Sequence, residues 1–478
     1  MPNNFPEGTF SLDAPTAADA DVLADLNSAG VAWDTSATER ADHGRDWWPL
    51  TIYDVAHGRV PHWPGVVVRP TSTAQVSDVM RIATRHVIPV TAQGGRSGVV
   101  GGAAAPSGSL ALDLTGLDRV LDIDTVSGTV SVEAGAFGPD LERAVTQQGF
   151  TVGHFPQSFE LATVGGWLAC RGAGQYSNRY GKIEDIVRGL TVVLASGEVV
   201  ELGGRGPRQA VGPDLMQLFV GCEGTLGVIT RATLALHRVP PYEERAAYSF
   251  SSFTLGLEAC RRILQRDARP AVLRLYDETE SRRNFDVDAC ALIVLDEGDQ
   301  ALVDATMGIV ASKCADATTL DQDLVARWLT HRNDVEALAP LWEKGIVVDT
   351  IEVAGPWHQL DAMHEQVVRA LSALEDTLLV SVHQSHAYLD GACLYFTFAG
   401  RPDGDPTAYY RSAWDVATRA VLANGGSLSH HHGVGRNRAR FVADALGSGF
   451  SVLTSIKATL DPLSILNPGA LGLGGAPW

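Results

Sequence analysis

The sequence predicts an α+β protein in four parts: a helical lead-in over 1–60, a glycine-rich mixed unit over 61–240, a strand-rich unit over 241–415 and a C-terminal segment over 416–478. Three observations lead there. The glycines of the first mixed unit gather in clusters at 94–102, 165–174 and 221–227. A double proline at 240–241 marks a boundary. Beyond it, alternating strand patterns are interleaved with three helical stretches, the texture of one antiparallel sheet with helices on one face. At 478 residues the chain exceeds one ordinary core, so two or three domains are expected.

The elements follow in order. DADVLADLNSAG carries an apolar stripe and ends at Gly30, a helix with its stop. VVVRP (66–70) is a short apolar strand. Ser72 and Gln75 have capping-box spacing, and Val76, Val79, Met80 and Ala83 then recur at i, i+3, i+4 and i+7, which predicts an amphipathic helix. VIPVTA (87–92) is a strand that runs into GGRSGVVGG (94–102), and LALDL (110–114) is another. RVLDID and TVSVEAG form a hairpin around Ser127-Gly128. A helix starts near Pro139, a good first-turn residue, and stops at Gly149. Ser196-Gly197 turns a second hairpin. GCEGTLGVITRATLAL (221–236) is a glycine turn feeding a strand. Past the prolines come AYSFSSF, AVLRLYD, CALIVLD, VVDTIEV, LLVSVHQSHAYLD and CLYFTFAG, with helices near 254–266, 300–315 and 357–374. Residues 406–425 and 437–460 read as helical.

Bulk properties exclude several functions. A formal charge of -19 is wrong for non-specific nucleic-acid binding, which depends on Lys and Arg neutralising phosphates. No apolar run approaches the roughly 18 residues that span a bilayer. The first residues lack a basic n-region and an apolar h-region, and GLGGAPW is no recognisable address, so a cytoplasmic location is expected. The six cysteines are scattered without C-x-x-C spacing, which reads as buried thiols in a reducing compartment.

The glycine clusters carry the first functional signal. G-x-G-x-x-G after an early strand is absent, and so is a P-loop, which removes the Rossmann and NTPase readings. Glycines at strand ends let backbone N–H groups approach a pyrophosphate. Three such loops along one stretch are best explained by one long anionic cofactor.

The second signal is SHHHGVGRNRAR (429–440). In an extended chain His430 and His432 share a face and His431 points away. On a helix three consecutive side chains do not converge. A contiguous trio is therefore poor geometry for one metal, and no metal is expected. Hydrogen bonding to backbone competes with proton handling for these residues.

The order GGRSGVVGG, HFPQSFELATVGGWLACRGAG, YGKIEDIVRGLTVVLASGEVVE, GCEGTLGVITRATL and DPLSILNPGALG resembles the vanillyl-alcohol-oxidase, or PCMH-type, flavoprotein family. The likeness is strong over about 60–240 and looser beyond. It implies a two-subdomain FAD-binding domain, an α+β substrate domain, and a C-terminal segment that returns to complete the active site. It places the pyrophosphate on Gly94, Gly95, Arg96, Ser97, Gly98 and Val99. It wraps the rest of FAD with Gln157, Ser158, Thr163, Gly165, Gly166, Cys170, Arg171, Gly172, Ala173, Glu223, Gly224, Thr225, Gly227, Val228 and Ile229. Members that bind FAD covalently use a histidine in the first loop; there is none here, so dissociable FAD is expected.

H-H-H-G-[VI]-G-x-x-R is similar to the signature of the alkylglycerone-phosphate-synthase branch. That resemblance implies catalytic roles for His430, His431, His432, Tyr395, Arg274 and His154, with Arg274 neutralising an anionic substrate group. Core packing competes for Tyr395, and a surface strand position for Arg274. His386 is a further candidate for the pocket. Two positions depart from the branch: Gln157 stands where aspartate is usual, and Leu338-Ala339 where an Arg-Asp pair is expected.

Two enzyme functions follow. One is synthase-like exchange at the carbon placed over flavin N5, with no net redox change. The alternative is an FAD-dependent dehydrogenase or oxidase of a D-2-hydroxy acid or alcohol. A flavin-binding scaffold or sensor is the non-enzyme reading, and it fits the histidine cluster poorly. The expected partner is an anionic small molecule, and a homodimer is left open.

Overall fold

The computed structural model describes residues 17–204, 206–334 and 339–474. Leu338, at the departure noted above, lies outside the described residues.

The first sheet contains β1 (Ala32–Asp34), β2 (Val66–Arg69), β3 (Val90–Gln93) and β4 (Leu110–Asp113), in the order β1-β2-β4-β3. β2, β4 and β3 run parallel, and β1 is antiparallel to β2. The lead-in is therefore more than helical: after the helix Ala20–Ser28 it donates an edge strand. Backbone pairing to β2 was invisible in a three-residue segment too short to show periodicity. Ser72 caps the helix Thr73–His86 by accepting from Gln75 N, a contact worth about 1 kcal/mol, and Gln75 Oε1 accepts from Thr71 N.

The second sheet contains β5 (Val120–Asp124), β6 (Thr129–Glu133), β8 (Val187–Val193), β9 (Val199–Gly203) and β10 (Val228–Ala235), ordered β5-β6-β10-β8-β9. A two-residue pair, β7 (Phe150–Thr151) with β11 (His237–Arg238), lies apart. Both expected hairpins form, with Gly128 and Gly197 at positive φ.

The third sheet is fully antiparallel. Its strands are β12 (Tyr242–Phe250), β13 (Val272–Tyr276), β14 (Cys290–Gly298), β15 (Thr318–Leu320), β16 (Val347–Pro356), β17 (Thr377–Ala387) and β18 (Gly391–Gly400), ordered β15-β12-β14-β13-β17-β18-β16. Alternation assigns the faces. Leu273, Leu275, Leu292, Val294, Phe396 and Phe398 face the helices Phe253–Leu264, Gln300–Lys313, Leu360–Ser372 and Pro406–Ala423. The opposite face is not bare, contrary to the one-sided expectation. Val272, Ile293 and Leu295 pack there with Tyr176, Tyr180, Leu324, Val325 and Trp328.

Register puts polar residues in one row. Tyr276 lies opposite His383, His383 opposite Tyr395, and Tyr395 opposite Glu352. Directly opposed residues share a face, so four side chains from four strands line up. Beyond the sheet, the expected helix over 437–460 is broken. A short turn at Ala439–Phe441 and helices Val442–Leu446 and Gly449–Leu460 flank Gly447, which sits at positive φ where a helix cannot continue. No helix among the described residues is long and apolar enough to cross a membrane.

Candidate active site

A cavity of about 1000 Å³ lies where the three glycine clusters, the third sheet and the C-terminal segment meet. Of the expected cofactor residues, Gly94 to Val99, Gln157, Ser158, Thr163, Gly165, Gly166, Cys170, Gly172, Ala173, Glu223, Gly224, Gly227, Val228 and Ile229 line it. Arg171 and Thr225 do not. Arg171 reaches toward Glu184 at 3.6 Å, and Thr225 is fully buried and donates to Cys222 O.

The first loop is built to receive an anion. The backbone N–H groups of residues 95–99 donate to no protein acceptor among the described residues. Arg96 sits at φ 53°, in the left-handed region, as in backbone nests that gather N–H groups around a phosphate. Gly95 packs against the second loop so closely that a Cβ would fall 1.7 Å from Leu161 O. The Arg96 guanidinium is turned aside: it bonds Asp42 Oδ2 at 2.5 Å and His43 Nδ1, both on the lead-in helix Ala37–His43. Anion contact at this loop therefore falls to backbone groups. These residues fit a pyrophosphate-bearing cofactor.

The histidine trio is shaped by two buried carboxylates. Glu352 of β16 accepts from His430 N at 2.9 Å, His432 N at 2.6 Å and Ser429 Oγ at 2.8 Å, and pairs with the fully buried Arg438 at 3.1 Å. Burial opposes its ionisation, but Arg438 and the histidines outweigh it and hold the carboxyl well below its ordinary value. Glu223, in the third glycine cluster, accepts from Val434 N at 2.6 Å and Gly435 N at 2.7 Å. Burial pushes it up to about 7. Gly435 has positive φ, and a Cβ there would meet Val100 O at 2.2 Å.

This turn overrides the alternation expected of an extended chain. His431 and His432 both line the cavity, while His430 turns behind them and bonds Tyr388 Oη through Nε2 at 2.9 Å. Burial holds His430 at about 3 and His432 at about 4, and pulls His431 well below its ordinary value. All three are neutral near pH 7, and both nitrogens of His430 are engaged, so a free lone pair falls to the two that line the cavity.

Tyr395 lines the cavity with its ring stacked on His383 at 4.8 Å and edge-on to His432 at 5.7 Å. Burial raises its phenol well above the ordinary value, which disfavours a phenolate. Arg274 also lines the cavity. It donates to Tyr276 Oη at 3.1 Å and to His383 Nε2 at 2.9 Å, and lies over the Trp328 ring at 5.4 Å. Because Arg274 can only donate, His383 carries its proton on Nδ1 and gives it to the buried Glu280 at 2.8 Å. His154 is brought close but not in: it is buried, its ring lies against Trp167 at 4.7 Å, and neither ring nitrogen has a partner among the described residues.

Sequence reasoning missed Arg332. It follows the helix Asp323–His331, lines the cavity, and lies over Trp328 at 5.6 Å and Tyr176 at 5.1 Å. Its buried Nη1 has no hydrogen-bond partner among the described residues. Neither Arg274 nor Arg332 meets a carboxylate among the described residues. Trp328 and Arg332 are spaced i, i+4, a helical pairing that could have flagged them. Glu352 and His383 left no local signal.

Nitrogens of His386, His430 and His431 lie within 4.8 Å of one another, closer than the contiguous spacing suggested. They are engaged with each other and with hydroxyls: His430 Nδ1 bonds His431 Nδ1 at 2.8 Å, and His386 Nδ1 bonds Ser177 Oγ at 2.8 Å.

Comparison with known proteins agrees with this geometry. Residues 64–203 match the FAD binding domain and residues 239–471 the C-terminal domain of FAD linked oxidases. The uncharacterized FAD-linked oxidoreductase YgcU of Escherichia coli (strain K12) is 30% identical over 85% of this chain and 89% of its own. Alkyldihydroxyacetonephosphate synthase of Dictyostelium discoideum is 30% identical over 86% of this chain and 74% of its own. D-lactate dehydrogenase of Anaerostipes hadrus is 27% identical over 85% and 89%. A solved alkyldihydroxyacetonephosphate synthase superposes with a TM-score of 0.80 at 25% identity, covering 95% of this chain and 86% of that one.

Proposed function

Because this chain belongs to the FAD-linked oxidoreductase family, we propose that it oxidises the hydroxyl-bearing carbon of a small anionic substrate, a 2-hydroxy acid or related alcohol. The observation that carries the reading is the polarity of the cavity. Two guanidiniums that meet no carboxylate among the described residues, Arg274 and Arg332, flank Trp328, while neutral His431 and His432 line the same cavity.

Bound FAD supplies the acceptor for the electron pair that leaves with the substrate hydrogen. The backbone nest of residues 95–99 would hold its pyrophosphate, and the second and third glycine clusters the rest. Arg274 and Arg332 hold the substrate carboxylate, giving charge-assisted bonds to a group that would otherwise be buried unpaired. A neutral imidazole, His431 or His432, accepts the hydroxyl proton as the carbon is oxidised. Tyr395 donates a hydrogen bond to the same oxygen and orients it. Glu352 and Glu223 fix the trio's backbone, so the imidazoles are positioned before substrate arrives.

Synthase-like chemistry is the second reading, supported by the shared H-H-H-G-V-G and the Dictyostelium relative. It needs the same anion contacts and the same base, but no net oxidation. Anaerobic mixing separates the two. Bleaching of flavin absorbance by 2-hydroxy acids or alcohols supports the oxidation. Bleaching by acyl-dihydroxyacetone phosphate alone would move the assignment to the synthase. Protein unable to bind FAD would overturn both.

A further inference from the structure

We propose that Tyr388 and Ser177, neither of which lines the cavity, complete a buried proton path joining two histidines that do, His431 and His386. The proposal rests on the oxidation reading, in which a proton leaves the substrate hydroxyl.

The path is continuous. His431 Nδ1 meets His430 Nδ1 at 2.8 Å, and His430 Nε2 meets Tyr388 Oη at 2.9 Å. Tyr388 Oη meets Ser177 Oγ at 3.3 Å, and Ser177 Oγ meets His386 Nδ1 at 2.8 Å. Three sequence-distant segments supply it: the trio, the end of β17 with the turn after it, and the short helix Ser177–Tyr180. Its two ends are alike. Both terminal histidines line the cavity, and Nε2 of each has no protein partner among the described residues.

Donor and acceptor rules allow only two arrangements of the whole chain. Each internal contact joins two groups, one giving a proton and one taking it. If His431 carries its proton on Nδ1, then His430 accepts there and donates from Nε2 to Tyr388. Tyr388 then donates to Ser177, and Ser177 to His386 Nδ1. His431 Nε2 is left as a base, and His386 Nε2 carries a hydrogen. Reversing every bond exchanges the two ends.

The step therefore balances without charge build-up. A substrate hydroxyl proton forms a bond to His431 Nε2, and the Nδ1 proton moves to His430. The His430 Nε2 proton moves to Tyr388, the Tyr388 proton to Ser177, and the Ser177 proton to His386. The Nε2 proton of His386 leaves into the cavity. Every group ends neutral, which suits a site where burial disfavours imidazolium at each histidine. Lys182 Nζ, bonded to His430 O at 2.6 Å, adds a positive charge that opposes a trapped imidazolium.

The test is anaerobic flavin reduction by D-lactate, and by further 2-hydroxy acids if needed, in H2O–D2O mixtures. Wild type, Tyr388→Phe and Ser177→Ala are compared. Wild type is expected to show a rate that falls non-linearly with deuterium fraction, because several protons move together. Each variant keeps FAD and substrate KM, slows by about tenfold or more, and gives a linear dependence from a single proton. Variants that retain the wild-type rate and curvature would overturn the path. So would variants that slow with raised KM and unchanged curvature, which is the mark of a packing role. If Tyr388→Phe fails to fold, Ser177→Ala decides alone. If no 2-hydroxy acid or alcohol bleaches wild type, the oxidation reading fails and takes the path with it, an outcome distinct from failure in the variants.

Discussion

Glu352→Gln is the sharpest perturbation of the site. The carboxylate and Arg438 are both 0% exposed and lie 3.1 Å apart. Removing one partner of a buried pair costs about 3–5 kcal/mol, because the other charge stays buried and uncompensated. The amide would also direct N–H toward a backbone N–H it replaced as acceptor, at His430 or at His432. Against a typical total of about 5–15 kcal/mol, this is a large share of the stability. The assay is the urea midpoint followed by far-UV circular dichroism and flavin fluorescence. The expected result is a clear fall in midpoint and slowed flavin reduction in the surviving fold. Adding Arg438→Met to Glu352→Gln should recover part of the loss, since it removes the stranded charge. The sign with pH is also fixed. A carboxyl held below its ordinary 4.5 contributes stability above that pH and loses it as pH falls toward the folded value. The gap between wild type and Glu352→Gln should therefore narrow below about pH 4.5. An unchanged midpoint, or a double variant no more stable than the single one, would refute the reasoning.

Three further outcomes are expected. Arg332→Ala should raise KM for the anionic substrate by about ten- to a hundredfold, from ~1.5–3 kcal/mol for a bond to a charged group, read in steady-state assays. Gly95→Ala should abolish tight FAD binding, because its Cβ would strike Leu161 O; flavin content after gel filtration checks this. Elemental analysis should find no stoichiometric transition metal, and chelation should leave flavin reduction unchanged, since hydrogen bonds already occupy Nδ1 of His386 and of His431 and both nitrogens of His430. Bound zinc at one per chain would refute that.

Local features were legible in the sequence, and long-range register was not. Ser72 capping its helix and the Ser127-Gly128 and Ser196-Gly197 hairpins depend on neighbours a few residues away, so the pattern contained them. The glycine clusters were legible because close backbone approach excludes other side chains, as at Gly95. Glu352 was not. Its partners lie in the C-terminal segment, and only the pairing of β16 with β18 brings it alongside Tyr395 and the trio. His383 and Glu280 escaped for the same reason. The trio's conformation was left open between extended and helical because carboxylates from two distant elements, not the histidines, set its turn.

The charge distribution gives the site its logic. A chain of net charge -19 repels an anion at long range, although salt screens that field beyond about 8 Å. Recognition must then come from groups met at contact. Arg274 and Arg332 suit that need because neither meets a carboxylate among the described residues, whereas Arg96 and Arg438 are each neutralised by one. The same segregation applies to protons. Glu352 and Glu223 accept from backbone N–H groups of this turn, and burial keeps its histidines neutral. On the proposed reading, two guanidiniums that meet no carboxylate among the described residues would let an acidic protein hold an acidic substrate.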